Sequence, residues 1–290
     1  MQQQGTFCDF PGGDSWVILS PIEQSIKRKI EAVGTPLKDW DIQINYGIKT
    51  GFNDAFIITS EKRDEILANC ATEDERKKTD ELIRPILRGR DIKRYGYEWA
   101  KLWLINTHNG VKGRIPRIRI EDYPAVKAHL DKYWDKIKDR ADQGDTPYNL
   151  RNCAYLEEFS KPKIMYPNMT KYIPFYYDTK GFYQNDKSFM ITGCNIAYLT
   201  AFLNSSVFKF CFLDNFPELQ GGTRELRKIF FDKIPVKNVT NVRNSEYASV
   251  IEEMQRTPST RLAKQIDAML FDEYELSDEE RTTIGFVEIQ

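Results

Sequence analysis

The sequence predicts an α+β fold, a mixed-sheet body with a helical appendage at its C-terminal end. Short apolar runs with period-two alternation, bounded by glycine and proline, recur between residues 41 and 192. Past about residue 240 the signals are all helical. The 290 residues are 41% hydrophobic and 13% aromatic, enough for a sizeable buried core. This divides the chain into a tail (1–15), an α+β body (16–240) and a C-terminal helical segment (241–290).

The tail lacks the basic and apolar regions of a signal peptide. Trp16–Leu19 is a short apolar run. Ser20 and Pro21 then supply an N-cap and a proline at the first helical position, and a helix to about Ala32 follows, apolar at Ile22, Ile26 and Ile30. Ile42, Ile44 and Tyr46 alternate as a half-buried strand does, and Ala55–Thr59 reads as a second strand. The glycine-bounded turn Gly47–Gly51 between them predicts a hairpin whose loop presents Lys49, Thr50, Phe52, Asn53 and Asp54. Charged helices are expected over Lys62–Asn69 and Glu73–Ile83, with Glu75 on a solvated face. Leu102–Ile105 reads as a buried strand and Tyr123–Arg140 as one long amphipathic helix. Strands follow at Lys163–Tyr166, Ile173–Tyr177 and Ser188–Thr192. Asn195 and Ser205 each can start an apolar helix, and Ile234–Val236 is strand-like. Thr257-Pro258 opens one late helix, and Ser277–Glu280 has the capping-box pattern of another.

Composition excludes several classes of function. No apolar run nears the roughly 18 residues of a membrane span. Five cysteines (Cys8, Cys70, Cys153, Cys194, Cys211) are scattered without a CxxC pair, as expected of reduced thiols in a cytoplasmic protein. His108 and His129 have no companion at metal-ligand spacing. No GxSxG, P-loop or GxGxxG occurs. The reading therefore assigns no catalytic residue and no metal ligand to this chain.

Charge points elsewhere. The net charge is −1, but Arg84–Arg119 holds ten cations against Asp91 and Glu98, a local +8, while the stretch from Asp267 to the end carries −7. A basic face on a neutral chain is the electrostatic footprint of polyanion binding. Five clusters of basic and polar residues fall on turns and strand ends. They are Lys49, Thr50 and Asn53; Arg88, Arg90, Lys93 and Arg94; Lys112, Arg114, Arg117 and Arg119; Lys161, Lys163 and Asn168; and Arg224, Arg227 and Lys228. Arginine suits paired contacts to guanine or phosphate, and asparagine to adenine. Asp91 is expected to lock at least one of its neighbouring arginines, and alternation would put Arg117 and Arg119 on one strand face. Asn53 has a rival role, closing its own turn.

The segments GIKTGFNDAFII (Gly47–Ile58), IRPILRGRDIKRY (Ile83–Tyr95), CAYLEEFSKPKIMYPNM (Cys153–Met169), AYLTAFLNSSVFKFCF (Ala197–Phe212) and FFDKIPV (Phe230–Val236) occur in that order. Together they resemble TaqI-like C-terminal specificity domains, the target-recognition parts of type II restriction–modification enzymes and adenine-specific DNA methyltransferases. The resemblance implies a DNA target-recognition domain whose lysines and arginines hold phosphates while loop side chains read bases. Adenine methyltransferases of this class also carry an Asn/Asp-Pro-Pro-aromatic motif and a glycine-rich cofactor motif. Neither is in this chain; Pro167-Asn168 and Phe216-Pro217 are the nearest strings. The expected partners are double-stranded DNA and a methyltransferase or endonuclease domain, linked covalently or not. S-adenosylmethionine, and Mg2+ for cleavage, belong to that parent enzyme. In the family the catalytic domain precedes this segment, and the resemblance thus implies the expectation that Met1 opens an expressed fragment. Two alternatives are a stand-alone metal-dependent nuclease, which needs clustered carboxylates, and a protein-interaction scaffold, which needs a wide apolar patch.

Overall fold

The computed structural model describes residues 19–288, so the tail, Cys8 and Trp16–Ile18 lie outside the described residues. Helices and mixed sheets alternate, and the described chain forms two compact units. One contains residues 43–196. The other joins the described residues up to Ile42 to Ala197 onward, so the units cut the chain at other places than residue 240.

Local signals explain the second unit. Ser20 caps the helix Pro21–Val33 with a full capping box, and Ser277 does the same for Asp278–Ile284. The apolar segment after Asn195 folds as two helices, Ile196–Leu203 and Ser206–Phe212, whose Tyr198, Phe202 and Phe208 are wholly buried. Helices Asn241–Arg256 and Thr260–Glu273 follow, and Gly34–Pro36 pairs antiparallel with Pro235–Lys237. Among the described residues no single helix is long and apolar enough to cross a membrane.

The first unit holds two four-stranded sheets. One runs in the order Tyr176–Asp178, Lys163–Pro167, Ser188–Gly193, Ile42–Tyr46. The other runs Tyr183–Gln184, Ile83–Leu87, Leu102–Ile105, Ile57–Thr59, its first pair parallel and the rest antiparallel. Ile58, Ile83, Ile86, Leu104, Val126 and Leu130 share one apolar core.

Three expectations fail here. The hairpin does not form, because Ile42–Tyr46 and Ile57–Thr59 belong to different sheets. Gly47 leaves the first sheet so close to the chain at Gln184–Asn185 that a Cβ would lie 2.1 Å from a carbonyl oxygen. A short helix, Asn53–Phe56, with Ala55 and Phe56 buried, then carries the chain into the second sheet. The long helix breaks into Pro124–Asp131 and Trp134–Ile137, and the turn between them packs Tyr133 against Phe52 and His129. Glu75 is not solvated. It is buried, and its two carboxylate oxygens accept the amides of Ala71 and Ala125 at 2.9 Å, tying two helix starts together.

Candidate nucleic-acid interface

The stretch Gln184–Ser188 gathers three of the five clusters. Ile48 N donates to Gln184 O at 2.7 Å, and Asn185 N donates to Leu87 O at 3.2 Å. Asn168 N donates to Lys187 O at 2.9 Å, and Gly89 lies so near that same oxygen that a Cβ would approach it to 2.7 Å. The Lys49 turn, the Arg88–Arg90 turn and Asn168 are therefore seated on one backbone segment. Lys49 stands over the Tyr46 ring at 5.4 Å. Arg90 is exposed and has no carboxylate partner among the described residues. Arg88 is held by Asp91 through two hydrogen bonds of 2.9 and 2.8 Å, the lock expected from the sequence. Lys93 lies 3.5 Å from Glu98, and Arg94 stands over the Tyr95 ring.

Lys112, Arg114 and Arg117 of the third cluster line a groove of about 810 Å³ formed by residues 109–117 with Asp145 and residues 152–154. Its segment is no strand, so Arg117 and Arg119 share no strand face. Val111 bridges Ile115 across a tight turn, and the chain then runs irregularly to the short helix at Ile120. Gly110 makes that turn possible: its φ is +71°, and a Cβ would meet Ile115 O at 2.4 Å. Lys112 is exposed at the tip. Arg114 pairs with Glu157 at 2.7 Å and Arg117 with Asp145 at 3.3 Å, while Arg119 is exposed.

Two buried side chains brace these loops. Asn149 donates to the carbonyl oxygens of Thr107, His108 and Ile118, at 3.4, 3.4 and 2.9 Å, and accepts the Thr146 hydroxyl. Arg140 donates to Thr50 O at 2.9 Å and Ile137 O at 3.2 Å, and also to Pro147 O and Asn149 O. Burial pushes its pKa down to about 10, so it stays protonated at neutral pH. One guanidinium thus ties the Lys49 turn to the segment that fixes the basic loop.

Lys163, Thr50 and Arg224 are taken up by contacts within the fold. Lys163 is wholly buried, and its ammonium donates to Asp178 at 2.5 Å and Phe159 O at 2.7 Å. Burial pulls its pKa down against the pull of Asp178. Thr50 is buried, and its hydroxyl donates to the Oδ1 of the exposed Asn53 at 2.6 Å, a bond between two side chains of the turn. Arg224 donates to Leu213 O, Phe216 O, Asp214 and Glu218, which commits its guanidinium to its own loop. Arg227 and Lys228 are exposed and pair with Glu225 and Asp232. Lys161 is exposed and pairs with Glu158 at 2.7 Å. Of the histidines, His129 is buried against Ala55 O, and His108 Nδ1 accepts the Gly110 amide. Burial lowers both pKa values.

The TaqI-like C-terminal specificity domain model matches residues 84–236, over half of the chain. The chain belongs to that family. The specificity domain has curated relatives among the type II methyltransferases. M.BstVI of Geobacillus stearothermophilus is 23% identical over 279 residues, 93% of this chain and 46% of its own length. M.PaeR7I of Pseudomonas aeruginosa is 21% identical over 283 residues, 94% of this chain and 45% of its own length. The chain thus spans about half the length of these relatives. Two solved structures share the fold. MmeI, a type IIL restriction–modification enzyme in complex with DNA, aligns with a TM-score of 0.53 at 12% identity over 87% of this chain and 34% of its own. The type IIG restriction endonuclease BpuSI gives 0.54 at 15% identity over 88% and 33%.

The matched span contains both the groove and the seat at Gln184–Ser188. Sequence reasoning missed Arg140, Asn149, Lys187 and the groove residues Asn109, Asp145 and Asn152. The two braces act through backbone carbonyls far along the chain, and no spacing rule announces such a partner.

Proposed function

We propose that this chain is the double-stranded DNA-recognition part of a type II, IIG-like restriction–modification enzyme. It directs adenine-N6 methylation, and in an enzyme that also cuts, cleavage, to a chosen site. The chemistry and the S-adenosylmethionine and Mg2+ it uses belong to a catalytic part joined to this domain covalently or by association. The observation that carries the reading is the groove whose rim bears Lys112, Arg114 and Arg117, inside the span that matches the family. Lysines there hold phosphates and set register, while presented side chains such as Arg90 meet base edges.

The roles separate by mutation. Lys112→Ala removes a point charge, so affinity falls alike on every duplex and the salt slope shrinks by about 1. Arg90→Ala changes discrimination at particular base pairs by about 1–3 kcal/mol. Fluorescence titration against a panel of duplexes checks both. If Lys112→Ala changes nothing on any duplex, the groove is not the interface.

A further inference from the structure

The groove holds its own competitors for phosphate. Arg117 and Arg114, the two arginines that line it, are each paired with a carboxylate, Asp145 and Glu157. Asp145 is not a loose surface charge. Its Oδ1 accepts Asn109 Nδ2 at 2.9 Å, and its own amide donates to Asn109 Oδ1 at 2.9 Å. The preceding Gly144 sits where a Cβ would come within 2.6 Å of the Asn109 amide group and 2.7 Å of Leu150 O, so the backbone there is pinned as well. Asn109 in turn donates to Asn152, another lining residue. An anionic group is thus built rigidly into a basic cleft.

Building on the proposed DNA-recognition role, we propose that Asp145 and Glu157 restrain indiscriminate DNA binding by occupying the arginines that phosphates would otherwise take. Both pairs are exposed, with side-chain exposures of 42% and 61% for Arg117–Asp145 and 57% and 49% for Arg114–Glu157. Pairs of this kind are weak enough for a phosphate to open them. Binding without base contacts rests on phosphates alone, so it bears the full effect of that exchange and of the repulsion from a fixed carboxylate. A complex held in one register by base contacts keeps its phosphates where the freed arginines can turn to meet them.

Asp145→Asn isolates the charge, because the new amide oxygen can still accept from Asn109. Titrating the full chain with a fluorescent duplex pool of random sequence at low salt, we expect Asp145→Asn to bind about fivefold tighter than the parent. Glu157→Gln is expected to act in the same direction, and the gain to shrink as salt rises. Asp74→Asn, which removes the same charge from the Lys78 pair on the helix Glu73–Leu82, should leave affinity close to the parent's. Thermal melting verifies that each variant is folded. Weaker or unchanged binding by folded Asp145→Asn and Glu157→Gln overturns the inference, because the carboxylates then brace the arginines or do nothing. A gain matched by Asp74→Asn overturns it too. Absence of duplex binding by the parent and all three variants instead overturns the DNA-recognition reading itself.

Discussion

Replacing Lys163 by methionine is expected to destabilise the domain by about 3–5 kcal/mol and to leave duplex binding by the folded fraction unchanged. Lys163 and Asp178 are both fully buried at 2.5 Å, in neighbouring strands of the first sheet. Removing the lysine strips a buried carboxylate of its ion-pair partner. The amides of Lys180 and Phe182, each 3.0 Å from Asp178, offset only part of that loss. Adding Asp178→Leu should recover much of the stability, since an apolar pair of similar volume removes the stranded charge. Urea denaturation of the two variants measures both effects. A Lys163→Met variant that keeps its stability and loses DNA would place the lysine back among the contacts read from the sequence.

Arg140→Met is expected to have a comparable effect on stability and, unlike Lys163→Met, to weaken DNA binding as well. The guanidinium serves the carbonyl oxygens of Thr50, Ile137, Pro147 and Asn149 and lies 4.6 Å from the Phe56 ring centre. Methionine fills the space but leaves those buried acceptors unserved, at about 3–5 kcal/mol and a fall of roughly 10 °C in Tm. The loops it joins carry Lys49 on one side and, through Asn149, Lys112 to Arg119 on the other. Their loosening should lower affinity on every sequence alike. Arg140→Lys keeps the charge but cannot reach the same set of acceptors, so most of the loss should remain. Calorimetric melting and duplex titration of both variants test this, and stability within about 1 kcal/mol of the parent for Arg140→Met would remove Arg140 from its bracing role.

These two residues show where the sequence was legible and where it was not. Both are basic residues in a chain read for basic surface, yet neither faces solvent. Lys163 stands at the start of an apolar run, and its pairing with Asp178, fifteen residues on, places it inside. Capped helices were plain: Ser20, Ser205 and Ser277 each bond the amide that their sequence context assigns them. So were the strands Leu102–Ile105 and Ser188–Gly193, whose runs are bounded by turn residues. The hairpin was misread because alternation marks strands but not which sheet receives them; Gly47 fits equally a tight turn and a close crossing of chains. The Arg88–Asp91 lock was legible because it is local, three residues apart. The groove was not, because Asp145 and Asn152 reach it from well beyond the basic stretch.

On the proposed reading, this domain holds DNA through the phosphate contacts of its basic loops. A titration of duplex DNA against the chain across a series of salt concentrations tests it most directly. With about five phosphate contacts, log K should fall against log salt with a slope near −4 to −5. An affinity that does not change with salt, or no binding even at low salt, would contradict it.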